Sequence, residues 1–126
     1  MKKLFVISIM LAATVTFATA QQRQRQTPEE SAKAYTERME TLLTLTAAQK
    51  TKIQAINLDL AKQMNAQFQS NQGNREAMLA AMQAIEKKRD DQYKPVLTAD
   101  QYKKYLVDKE ERRKEMEARR AQRSNN

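Results

Sequence analysis

Apolar residues recur at steps of three and four along four stretches of the chain, with polar residues between them. Such steps place side chains on one face of an α-helix, at ~100° per residue. The first stretch opens at Thr27-Pro28-Glu29-Glu30. Thr27 suits the N-cap, Pro28 the first helical position, and Glu30 can reach back to complete a capping box. Tyr35, Met39 and Leu42 form its stripe, with Leu43 at the flank, so the pattern predicts a helix ending near Leu43. The second stretch follows a tight joint at Thr44-Leu45 and carries Ile53, Ile56, Leu60, Met64 and Phe68 within ~120° of arc. Leu58 lies off that stripe. Ser70 to Asn74, with the only glycine, Gly73, predicts the turn that ends it.

The third stretch runs from about Asn74 to Lys94 and aligns Met78, Met82, Ile85, Arg89 and Tyr93. Arg89 at the centre of that stripe reads as a cation whose stem covers a thin core. Pro95 closes the helix. The fourth begins at Thr98 with Tyr102, Tyr105 and Leu106, and its stripe fails after Asp108, where Lys109 and Arg113 replace core residues. Acid-then-base pairs four apart (Asp108 and Arg112, Glu110 and Lys114, Glu115 and Arg119) predict a solvated helix end that frays.

Two of these helices open on the same words. Leu45-Thr46-Ala47-Ala48-Gln49 recurs as Leu97-Thr98-Ala99-Asp100-Gln101, 52 residues later. In each copy Thr can accept from the N–H three residues on, and Gln can accept from the N–H of the cap. Leu45, Thr46, Gln49, Leu97, Thr98 and Gln101 are therefore assigned a structural role.

Composition changes the picture at the N-terminus. Met1-Lys2-Lys3, an apolar run from Leu4 to Phe17 and Ala18-Thr19-Ala20 have the layout of a secretory signal peptide cut after Ala20. The run is shorter than the ~20 residues a spanning helix needs. Cleavage would leave residues 21–126 and, with Lys2 and Lys3 gone, lower the net charge from +8 to +6. The expected organisation is signal peptide 1–20, flexible arm 21–26, one helical domain 27–120 and a disordered tail 121–126. Leu, Ile, Val and Phe are scarce after residue 20, so a shallow structure gains most from dimerisation.

The chain has no Cys and no His. That removes thiol and imidazole chemistry and Cys/His metal sites. Glu86, Asp90 and Asp91 cluster on the third helix, but Lys87, Lys88, Arg89 and Lys94 surround them and a solvated face is the plainer account. No glycine-rich phosphate loop is visible. The sequence therefore predicts no enzyme, no cofactor and no metal. The basic residues are interleaved with acids and lack an aromatic platform, which disfavours nucleic acid despite a pI of about 9.8. What remains is binding. Methionine-bearing surfaces re-pack around varied partners. The expected client surface is Ile56, Leu60, Met64, Phe68, Met78 and Met82, with Lys62 and Arg89 as charged neighbours; the same residues also fit a helix-packing core.

The two Leu-Thr-x-x-Gln copies, the export signal and the basic helical chain resemble the periplasmic LTXXQ family that includes Spy and CpxP. The resemblance covers about Thr27 to Arg113, in a shorter form. It implies an all-α fold of about four helices, a thin antiparallel hairpin or cradle that dimerises in the periplasm. It also implies an ATP-independent holding chaperone for partly unfolded proteins. The alternative it carries is a regulatory adaptor for the periplasmic domain of an envelope-stress sensor kinase.

Overall fold

The structure is a computed structural model that describes residues 26–124. The signal peptide, its cleavage site and the arm up to residue 25 lie outside the described residues, as do residues 125 and 126. The described chain is all-helical: α1 (Pro28–Leu43), α2 (Ala47–Ser70), α3 (Arg75–Tyr93) and α4 (Ala99–Ser124), with no strand among the described residues.

Local chemistry sets the helix starts. The Thr27 N–H donates to Glu30 at 2.9 Å and the Glu30 N–H donates to Thr27 Oγ1 at 3.1 Å. Thr46 and Gln49 repeat that exchange at 3.0 and 3.2 Å. Thr98 and Gln101 do so again at 3.0 and 3.2 Å. Asn74 caps α3 by accepting from the Ala77 N–H at 3.0 Å. Two joints use left-handed backbone: Thr44 ends α1 at φ 52°, and Gly73 lies in the α2–α3 turn at φ 82°. Gly73 meets that demand at no steric cost, whereas the β-branched Thr44 is strained there.

Long-range contacts set the packing. α1 runs antiparallel to α2, with Thr36 against Asn57 near the middle and Glu40 against Lys50 at one end. α3 returns along α2, bringing Tyr93 to Asn57 and Lys88 to Gln63. α4 then runs back beside α1 and α3, with Asp108 on Arg38 and Tyr105 on Asp90. The end of α1, the start of α2, the end of α3 and the start of α4 therefore meet at one pole, which we call the motif pole.

The core lies there. Met39, Leu43, Ile53, Tyr93, Leu97 and Tyr105 form a buried cluster, flanked by Tyr35, Leu42, Leu45, Ile56, Val96 and Tyr102. Tyr93 and Tyr105 pack their rings at 5.0 Å between centroids. On α1 the buried face runs through Ala32, Thr36, Met39 and Leu43, one position round from the expected stripe. The reason is close approach: Ala32 and Thr36 are small enough to let α2 sit near, and Tyr35 swings to the edge. On α2 the buried face passes through Ile53, Asn57 and Leu60 and then fades, with Phe68 41% exposed. α4 is helical to Ser124, so residues 121–124, expected to form a tail, continue the helix. No residue of α4 beyond Arg112 is even half-buried.

Candidate functional site: an apolar groove at the open pole

Three layers stack between the motif pole and the opposite pole. The outermost is a clasp between the two motifs. Gln49 Nε2 donates to Gln101 Oε1 at 2.7 Å and to the Val96 carbonyl at 3.1 Å. Gln101 Nε2 donates to Gln49 Oε1 and to the Leu43 carbonyl, both at 3.1 Å. Each Gln thus caps its own helix and satisfies a carbonyl near the other joint. Spacing had shown only the local half of this, because the partner lies 52 residues away.

Next comes the apolar core, and beneath it a polar layer that the hydrophobic pattern did not predict. Thr36 Oγ1 donates to the Ala32 carbonyl at 2.7 Å and accepts from Asn57 Nδ2 at 2.9 Å. Asn57 Oδ1 accepts from the Tyr93 hydroxyl. Beside them Asp90 accepts from the Tyr105 hydroxyl at 2.7 Å and pairs with Lys109. Asp90 is therefore a bridge to α4, not part of a solvated face as the sequence had suggested. Burial pushes the Tyr93 hydroxyl well above the usual phenol range, reinforced by Tyr35. It does the same to Tyr105, helped by the bond to Asp90.

Arginines close this layer. The Arg89 guanidinium lies 4.4 Å over the Tyr35 ring and pairs with Glu86, with only 11% of its side chain exposed. Burial opposes its charge, but Tyr35 and Glu86 outweigh that and push its pKa up. Arg112 lies over the same ring at 5.5 Å, donates to the Tyr35 hydroxyl at 3.0 Å and pairs with Asp108. Stacking plus pairing offsets the desolvation that burial imposes on both cations, and Arg89 Nε stays buried without a hydrogen-bond partner. Arg89 is thus more deeply held than a cation with its head in water.

Beyond the polar layer the helices part. A groove of about 420 Å³ opens between α1 and α2, with Arg89 of α3 at its inner end. Its lining comprises Pro28, Ser31, Ala32 and Tyr35 of α1, Asn57, Leu60, Ala61, Met64, Asn65 and Phe68 of α2, and Gln26. Of the expected client residues, Leu60, Met64, Phe68 and Arg89 come together here. Leu60 is fully buried and forms the floor. Ile56 is not in the groove but packs against the core cluster. Met78 and Met82 are half-buried on α3, outside the lining. Lys62 is exposed and pairs with Glu29 at 3.9 Å, and Lys88 stands 3.9 Å from Asp59. Acids therefore offset the lysines at the margins. Tyr35 and Asn57 line the groove but were missed as candidates; Tyr35 had been read as core and Asn57 was hidden by its polarity.

The described residues contain no group of three or more Cys, His, Asp or Glu able to hold a metal ion. None of the described helices is long and apolar enough to cross a membrane. Against known families, the profile described as a domain of unknown function, DUF4890, matches residues 18–105. The chain belongs to the DUF4890 family. The DUF4890 match takes in both motifs and every residue of the apolar core, and it stops at Tyr105, before the charged part of α4. Neither a curated protein nor a solved structure matches the chain.

Proposed function

We propose that this chain is an exported, ATP-independent holding chaperone or envelope-stress binding protein. In this reading it is a short relative of the LTXXQ (Spy/CpxP-like) proteins, processed after Ala20, and works as a homodimer. The observation that carries the reading is the groove. The four helices share one well-packed pole, and at the opposite pole Leu60, Met64 and Phe68 line an apolar groove among the described residues. About 420 Å³ is room for two or three large apolar side chains of a partner, not for a folded domain. Shallow burial against a mostly apolar lining, with Arg89 its one charged member, favours loose, sequence-tolerant capture. Burying a few such side chains contributes roughly 1.5–3 kcal/mol each before ordering costs, which supports transient holding.

The test is suppression of aggregation. The processed protein is added without ATP to two unrelated denatured proteins diluted into buffer, and light scattering is followed. Suppression with both, lost in the Met64→Ser/Phe68→Ser variant while circular dichroism is unchanged, is the expected outcome. No suppression with either protein would sink the chaperone reading. The dedicated adaptor would then be sought as a single-partner complex with a sensor's exported domain. Loss of helicity in the double variant would make these residues packing, not surface.

A further inference from the structure

The second half of α4 has an unpartnered face with one sign of charge. At ~100° per residue, Lys109, Arg112, Arg113, Arg119, Arg120 and Arg123 fall within about 120° of arc. Met116 lies mid-arc, and Glu110, Glu111, Glu115 and Glu117 all lie outside it. The near part of this stripe is spent inside the protein. Lys109 holds Asp90, Arg112 holds Asp108 and Tyr35, and Arg113 holds Glu110 and Glu117. The far part is not. Among the described residues Arg119, Arg120 and Arg123 form no ion pair, although Glu115 stands four residues before Arg119 on the same helix. Every residue from Arg113 to Ser124 is exposed. The stripe also lies beyond the DUF4890 match, so it is an addition to the groove-bearing unit.

We propose that this arginine stripe lays the end of α4 on an anionic phospholipid surface. Guanidinium groups suit phosphate oxygens, which they bind bidentately. A straight helix presents the three free arginines within two turns, a line that a flat sheet of headgroups can meet at once. The only apolar residue in the arc is Met116, too little to insert, so attachment is electrostatic and salt-labile. Nucleic acid is the weaker fit, because no aromatic residue follows Tyr105 to stack on bases. The proposal is independent of the groove, whose lining shares no residue with the stripe.

Co-sedimentation with vesicles tests it. The processed protein is mixed with vesicles of phosphatidylcholine alone or with phosphatidylglycerol added. Binding to the anionic vesicles only, weakened by raising salt above about 0.15 M, is expected. Arg119→Gln/Arg120→Gln/Arg123→Gln should lower the partition constant roughly 100-fold, the three lost charges taken together. Lys114→Gln, on the opposite face, should change it far less. Circular dichroism confirms that the triple variant is folded. Equal binding to both vesicle types, no binding to the anionic ones, or full binding by the folded triple variant would each overturn the proposal. Tighter binding to a short DNA duplex than to anionic vesicles at the same salt would overturn the choice of lipid.

Discussion

The two poles of this bundle are made from the same four helices and solve opposite problems. At the motif pole, helix ends that would leave bare carbonyls meet a pair of glutamines that satisfy them across 52 residues of chain. Apolar residues from all four helices or their joints then fill the space behind the clasp. At the open pole, α2 carries its stripe onward to Phe68, which is 41% exposed, and α4 turns from tyrosine to arginine. Among the described residues the buried core is thus concentrated at one end and the groove lies at the other. The difference teaches that a chain with few large apolar residues can keep a groove if it spends its core in one place.

The largest expected effect comes from breaking the closed pole. Ile53 is fully buried in the core, and Ile53→Ala should cost about 3–4 kcal/mol. Phe68→Ala, at the open pole, should cost less than about 1 kcal/mol, because the ring is already 41% exposed. Urea midpoints of the two variants measure the contrast directly. Next is the clasp. Gln49→Ala and Gln101→Ala each remove a cap and a cross-joint bond, and each should cost about 1–3 kcal/mol. A double-mutant cycle should return a coupling of at least about 0.5 kcal/mol, since the amides bond each other. Strict additivity would mean that the two motifs act as separate caps.

Alkaline pH should loosen the closed pole first. Burial raises the folded-state pKa of Tyr93 and Tyr105 above the ordinary 10.0. Their contribution is therefore fully present below about pH 10 and is lost as pH rises from there towards the folded values. The urea midpoint should fall between pH 9.5 and 11 by about 1 kcal/mol or more in free energy, and less steeply in Tyr105→Phe. The smallest effect is at the α1–α2 joint. Thr44 carries a β-branched side chain at φ 52°, and Thr44→Gly should stabilise the fold by up to about 1 kcal/mol, read as a rise of a few degrees in the thermal midpoint.

The helices and their starts were legible because their code is local. Thr27, Thr46 and Thr98 cap through partners three residues away, and Gly73 and Pro95 punctuate the turns where expected. The polar layer was not legible. Asn57 and Thr36 look solvent-facing in the sequence, since what makes their burial tolerable is a chain of donors from α1 and α3. The same holds for Asp90, whose partners Tyr105 and Lys109 arrive from α4. The groove was half legible. The stripe on α2 pointed to Leu60, Met64 and Phe68, but only packing shows that Ile56 belongs to the core and that Tyr35 and Asn57 form the inner wall.

The central claim is that a closed pole holds the fold while the open pole does the binding. Amide hydrogen exchange, followed residue by residue in the free protein and with a permanently unfolded client, tests it most directly. The account predicts the slowest exchange around Met39, Ile53, Tyr93 and Tyr105 in both states. It predicts that the client adds protection at Tyr35 and from Leu60 to Phe68. Client protection centred on Gln49 and Gln101, or slow exchange spread evenly from pole to pole, would contradict it.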